Sequence, residues 1–394
     1  MVDIGAAAGN ARQDAERATS AGMVTVDVRQ GDDLALAAYA DFCAKAFHAH
    51  AQHPVWVRAW VQATGADAFF VTLHRNGRPA LMLALEVVRR GPFKVAAFMG
   101  QRHANGNFAA LAPGSGQPLA RHETDALMKA VRNARPDVDL VMLERQVPSI
   151  DGVDNPFAGL QTMASPNLAL ATDLSGGMDA VLDRMSGKRK RKKYKLQLRK
   201  FEEAGGYRWF EASTQEEVER LISDFYRLKA ARFKKRGIPD TFASPEVQAF
   251  FRQLFHDALQ VEPVPFALHG IEVAGEIRGI NGFSITDTSY VCEFCAIRDD
   301  DSTISPGFYL DYVGIEDACR RGKAVYDFSV GDDDYKRTWC DIETVQFDTL
   351  LPLSLKGRAL SGAMKARAGA VRMLKSNKRV WDTVKSLRTK LAGR

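Results

Sequence analysis

Four side chains close together in the second half of the chain could do acid–base or phosphate chemistry: Glu293, Asp327, Tyr335 and Lys336. Glu293 is the one charge on a strand face shared with Val291, Cys295 and Ile297, if side chains there alternate. A carboxyl among such neighbours is desolvated and its pKa rises, which suits a general base; an ion pair with a lysine or arginine is the other reading. Asp327 closes the next strand and either takes a proton or caps the turn that follows. Tyr335 offers a phenol, and Lys336 a point charge for phosphate or acceptor oxygens. Between these residues lies Ser305-Pro306-Gly307, followed by Phe308. A serine N-cap with proline at the first helical position is a strong helix start. Free backbone N–H groups and the helix dipole make such a start an anion site, and Gly307 lets a ligand approach the backbone. Phosphate is the first candidate.

The elements that must position these groups follow from the local pattern. Tyr290 to Ile297 is rich in aromatic and branched residues and predicts a strand. Phe308 to Arg321 predicts a helix that ends in two arginines and Gly322. Ala324 to Phe328 predicts a second strand, which runs into a polar loop holding Gly331, three aspartates, Tyr335 and Lys336.

The run SPGFYL, then a helix, then YDFSVGDDDYKRTW, resembles the GNAT-type acyltransferase domain of the CelD group of polysaccharide-biosynthesis proteins. The Fem proteins, which transfer aminoacyl groups in peptidoglycan synthesis, are similar more distantly. The resemblance covers roughly 180–345 well and 45–165 faintly. It implies a mixed α/β fold, acetyl-CoA or another acyl-CoA as co-substrate, and a glycan-type acceptor. It also implies that Tyr335 protonates the departing thiolate; whether Glu293, Asp327 or only water takes the acceptor's proton stays open. Ser305, Gly307, Phe308 and Gly331 then line the donor site. Arg191, in the basic segment that opens this domain in relatives, helps to hold the donor's phosphates. The longer Gly-rich Arg/Gln loop of many GNAT proteins is missing here, so aminoacyl-tRNA or another thioester stays open as donor.

At 394 residues, with 46% hydrophobic and 26% charged residues, the chain has a globular composition and room for two domains. No apolar run is long enough for a transmembrane helix. Residues 1–22 read as a disordered tail rather than a secretory signal. Two segments carry the basic charge: 188–200, with nine cations and no acid, and 352–394, with twelve cations and one acid. In the first, Tyr194, Leu198 and Phe201 form a packing stripe, and the cations either steer an anion or face solvent. In the second, Val380, Val384, Leu387 and Leu391 form a stripe suited to an anionic membrane surface or to packing on the acidic body. Cys292 and Cys295 form a C-x-x-C, but positions three apart on a strand face opposite sides, so a structural role is expected and no metal.

The order of elements repeats. Strands, a helix from His122 to Ala134 and a strand at 140–143 follow an Asn76-Gly77 hairpin signal. A capping-box pattern at 213–216, a second helix after Ser244-Pro245 and a hairpin about Ala274-Gly275 lead to the focal strand. Tandem GNAT-like domains are therefore expected. The first (23–170) is degenerate, with a glycine-rich loop at 100–116 lining the acceptor side; 171–351 is active, and 352–394 is a helical tail. The expected function is transfer of an acyl group, acetyl first, to an amine or hydroxyl of a glycan or its precursor, in the cytoplasm. An aminoacyl-tRNA-dependent transferase and a non-catalytic subunit of a polysaccharide-synthesis complex are the alternatives.

Overall fold

A computed structural model describes residues 23–160, 162–300 and 303–376. The expected N-terminal tail and the stripe at 380–391 lie outside these residues. The first half runs β1 (Val24–Gln30), α1 (Asp33–Cys43), α2 (Pro54–Thr64), β2 (Ala68–Arg75), β3 (Arg78–Arg90) and β4 (Phe93–Phe98). It continues with β5 (Ala110–Leu111), α3 (Arg121–Ala134), β6 (Leu140–Gln146), a hairpin of β7 (Ser149–Ile150) and β8 (Val153–Asp154), and β9 (Thr162–Asp173). After α4 (Gly177–Arg184) come α5 (Gly187–Glu203), β10 (Tyr207–Glu211), α6 (Gln215–Arg236), α7 (Pro245–Ala258), β11 (Phe266–Val273) and β12 (Glu276–Ile285). The chain then forms β13 (Ser289–Ile297), α8 (Pro306–Arg320), β14 (Val325–Val330), a one-turn α9 (Asp334–Arg337), β15 (Ile342–Pro352) and α10 (Leu355–Ser376).

The fold is mixed α/β, as expected, and built on one 13-stranded sheet in the order β1-β2-β3-β4-β6-β15-β9-β14-β13-β12-β11-β10, with β5 on β3. Each half contributes a run of antiparallel strands ending in one parallel pair: β4 with β6, and β13 with β14. The final strands are exchanged. β9, which closes the first half, pairs with β14, while β15, which closes the second, pairs with β6. Residue 170 lies within β9, which also pairs with β15.

Local chemistry fixes these elements. Asn76 and Gly77 both take positive φ in the β2–β3 turn, the backbone that a tight hairpin needs. The Thr214 hydroxyl accepts from the Glu217 N–H at 3.2 Å to start α6, and Ser244 accepts from the Val247 N–H at 3.4 Å to start α7. The halves are joined on one face of the sheet by α2 and α7. Trp56 and Trp60 each meet the Phe250 ring edge-on at 4.9 Å, and all three are buried. Such aromatic contacts add to the stabilisation from burial alone.

The start of the basic tail packs on the body. Leu360 and Met364 cover Val95, Leu140, Met142 and Leu350. A Cβ on Gly357 would lie 1.8 Å from the Asp139 carbonyl oxygen, so only glycine lets α10 approach this closely. Among the described residues, no helix is long and apolar enough to cross a membrane.

Candidate active site

The site begins where the parallel pairing of β13 and β14 ends, at Val291 opposite Asp327. Beyond this point β14 is kinked: its register against β9 shifts between Asp327 and Val330, and Ser329 takes φ +61. The strands part and leave an edge of β13 open.

Glu293 lies on that edge, at a bulge. Gly282 of β12 faces Phe294 while the next residue, Phe283, faces Cys292, so Glu293 is the extra residue. The bulge corrects the expected alternation. Tyr290 and Cys292 pack against the α8 side, whereas Phe294 and Ala296 join the core under α2, α6 and α7. Cys292 and Cys295 therefore do not lie on opposite faces: burial and the neighbouring Cys295 thiol both push the Cys292 thiol up.

Only 2% of the Glu293 side chain is exposed. Burial pushes its carboxyl up to about 8, against the pull of a hydrogen bond donated by Ser284. Among the described residues no lysine or arginine pairs with it. Its second oxygen, Oε2, is buried without a hydrogen-bond partner. A residue from the first half completes the contact: His50 Nε2 lies 3.1 Å from Glu293 Oε1, yet is too poorly aligned to count as hydrogen-bonded. Burial lowers the imidazole to about 4, although Asp327 and the Asn105 backbone pull it back up, so it is neutral near pH 7. Asp327 caps the kink by accepting from the Ser329 N–H at 2.6 Å, and burial raises its carboxyl. This is the turn-capping role expected of it; His50, Lys336 and Glu293 also act electrostatically on its carboxyl.

Tyr335 stands on α9 and is 46% exposed. Partial burial, then the Cys295 and Cys292 thiols and Asp311, push its phenol well above the ordinary range, so it keeps its proton. Lys336 differs from the expectation. Its ammonium is buried and donates to the carbonyls of Phe328 (2.8 Å), Ser329 (3.2 Å) and Val330 (3.0 Å). All three of its donors are engaged, so it ties down the kinked end of β14 and has none left for phosphate. Gly331, at φ +127, makes room for it: a Cβ there would sit 3.2 Å from Lys336 Nζ.

At the helix start, the Ser305 side chain does not cap α8. Its backbone N–H instead donates to Gln197 Oε1 of α5 at 2.6 Å. Gly307 has ordinary backbone angles, and a Cβ there would only touch Ile297 at 3.4 Å; its smallness opens space rather than relieving strain. The Phe308 ring carries the Lys193 ammonium at 4.2 Å and stacks on Trp339 at 5.9 Å. Tyr194 stacks on Tyr312 at 4.1 Å and Phe201 is fully buried, so the expected stripe of α5 does pack. Arg191 turns the other way, to Asp179 at 2.7 Å and Asp183 at 3.6 Å. Lys193 replaces it as the cation beside the α8 N-terminus, because helical spacing points residues 191 and 193 in different directions.

Three residues near the centre were missed from sequence. His50 belongs to a histidine-rich run, 48 to 53, ahead of α2. Ser284 lies across from the bulge. Asp311, an acid on the second turn of α8, is pushed up to about 7 by burial despite Lys336 and Lys193. Away from the site, Glu211, His269 and Asp317 could together reach a metal ion. Arg321 already bridges the two carboxylates, and Arg320 adds a second cation on Asp317.

With this geometry in hand, comparison with known proteins is informative. Residues 188–337 match the acetyltransferase (GNAT) domain family. That match makes the chain an acyltransferase by class. FemX is similar in fold, at 12% identity and a TM-score of 0.56, over 84% of this chain and 98% of that one. L-PGS from Bacillus licheniformis (11%, 0.51; 86% and 98%) and a conserved protein of unknown function from Bacteroides thetaiotaomicron (8%, 0.53; 83% and 100%) share the architecture too. No curated protein sequence matches the chain.

Proposed function

We propose that the chain moves an acyl group, acetyl in the first instance, from acyl-CoA to an amine or hydroxyl of a glycan or glycan precursor, as in the CelD group. The observation that carries this reading is Glu293: a buried carboxyl near pH 8 with one free oxygen, at the mouth of the gap between β13 and β14. A thioester in the gap would lie between Glu293 and Tyr335. The acceptor nitrogen or oxygen attacks the thioester carbon and passes its proton to Glu293, with His50 and Asp327 alongside. The carbon–sulfur bond breaks, and the thiolate takes the Tyr335 proton. A base titrating close to working pH suits this step. The α8 N-terminus, Lys193 and Gly307 would receive the donor's phosphates.

The exposed cations Lys188, Arg189, Lys192, Lys193 and Lys195 support a second reading, a polyanionic aminoacyl-tRNA donor. Calorimetric titration with acetyl-CoA, free CoA and charged tRNA separates the two readings. Micromolar CoA binding supports the first. Binding of charged tRNA alone overturns it, and binding of neither leaves a non-catalytic subunit.

A further inference from the structure

The first half has a gap of its own, and the chain has filled it. The pairing of β4 with β6 ends at Ala97 opposite Met142. Beyond it, where the second half stays open, Asn107 lies against β6. Its N–H donates to the Arg145 carbonyl at 2.9 Å, and its carbonyl accepts from the Val147 N–H at 3.2 Å. Its side chain does further work. Asn107 Nδ2 donates to the Glu144 carbonyl, and Oδ1 accepts from Gln52 Nε2, both at 2.9 Å. Gln52 Oε1 in turn accepts from the Phe108 N–H at 2.9 Å, and the Gln52 carbonyl accepts from the Tyr39 hydroxyl at 2.7 Å.

Gln52 and Asn107 are almost fully buried, at 2% exposure each. Gln52 closes the one turn of 3-10 helix, His50–Gln52, whose first residue is His50. The residue before Asn107 is fitted to the same ring: a Cβ on Gly106 (φ +64) would lie 3.3 Å from His50 Cε1. Every polar group of the Gln52 and Asn107 side chains is thus spent on fixing the turn that carries His50 to the filled gap.

We propose that Asn107 and Gln52 are positioning residues: through them, the filled gap of the first half holds the His50 ring against the Glu293 carboxyl. This rests on the acyltransfer reading for its purpose but not for its geometry. Freed from this brace, the turn lets His50 move and water reach Glu293, whose elevated titration depends on being dry. The charged and titratable groups facing Glu293 are His50 from the first half, Asp327 from β14 and Cys292 from its own strand.

The test is carbon-13 NMR titration of glutamate-labelled full-length protein, with the Glu293 signal assigned from Glu293→Gln. In Asn107→Ala and in Gln52→Met, Glu293 should titrate at least one pH unit lower than in the wild type. Because the two substitutions break opposite ends of one hydrogen bond, the double variant should move it no further than either. Turnover should fall roughly tenfold in each, with the donor's Michaelis constant unchanged, as for a group acting only on the chemical step. Wild-type titration in both folded variants, or additive shifts in the double variant, overturns the proposal. If Asn107→Ala does not fold, Gln52→Met, which keeps the side-chain volume, decides alone. An absence of acyltransfer activity would count against the proposed function while leaving this titration readable.

Discussion

The two halves use one backbone plan and differ in what they do with the gap it creates. Both end a short parallel pairing, and both then kink the second strand at a residue with positive φ, Arg145 at +55 and Ser329 at +61. An aspartate accepts from the N–H of each: Asp348 at 2.8 Å in the first half, Asp327 at 2.6 Å in the second. In the first half, β4 pairs regularly with β3 and Asn107 completes the sheet. In the second, a bulge turns Glu293 to the edge and, among the described residues, no segment completes it. Even their buried carboxyls differ in this way. Glu86, raised to about 7, accepts from the Gly100 N–H at 3.2 Å and Gln101 Nε2 at 3.4 Å, whereas Glu293 keeps an oxygen free. Under the proposed function, chemistry falls to the half that leaves its hydrogen bonding unfinished.

The strongest break in this comparison is Glu293→Gln. Turnover should fall ~10²-fold or more, the scale of general-base loss, while Glu86→Gln stays within a few-fold of wild type. A base must be deprotonated to act, so wild-type turnover should rise as pH passes through about 8, and Glu293→Gln should lose that limb. Stability runs in the opposite sense. The folded carboxyl holds its proton up to about 8, whereas the unfolded one loses it near 4.5, so this group's contribution is complete below about 4.5, falls as pH rises from there and is gone above about 8. Thermal melts should therefore find Glu293→Gln more stable than wild type at pH 9.

Next, Tyr335→Phe should lower turnover ~10²-fold with donor affinity unchanged, as for loss of a general acid; steady-state kinetics and calorimetry read the two effects. Lys336→Met should act on folding instead, because three buried carbonyls lose their donor. A cost on the order of 3 kcal/mol in denaturant melts is expected. A raised Michaelis constant at unchanged stability would restore the phosphate-binding role. The smallest effect separates two neighbours on α5: Lys193→Ala should weaken CoA binding several-fold in low salt, and Arg191→Ala should leave it within twofold.

Much of the second half was legible because its signals are local. The Ser305-Pro306-Gly307 run starts a helix in a sequence of any fold, and the focal strand, helix and strand lie where their composition puts them. What escaped depends on contacts that spacing does not encode. One extra residue in β13 moved Glu293 to a bulge and set Cys292 and Cys295 on one side, because a bulge is decided by the partner strand. Lys336 reads as a free charge until the kink at Ser329 turns three carbonyls towards it. His50 could be noticed as part of a histidine-rich run, but its meeting with Glu293 arises from the packing of one half on the other.

The exchange of β9 and β15 has a consequence for how the protein comes into being. The sheet of the first half lacks its neighbour on β6 until β15 arrives, which leaves Leu143 waiting for Thr349. During synthesis, the N-terminal half therefore emerges with one strand edge bare while nearly the whole of the second half is still being made. Closure across so long a loop is entropically slow and leaves a sticky edge exposed meanwhile. The two halves are thus partners in assembly before they share any chemistry. A ribosome stalled just before residue 342 should hold a first half that proteases cut readily, and release of the last strand should protect it.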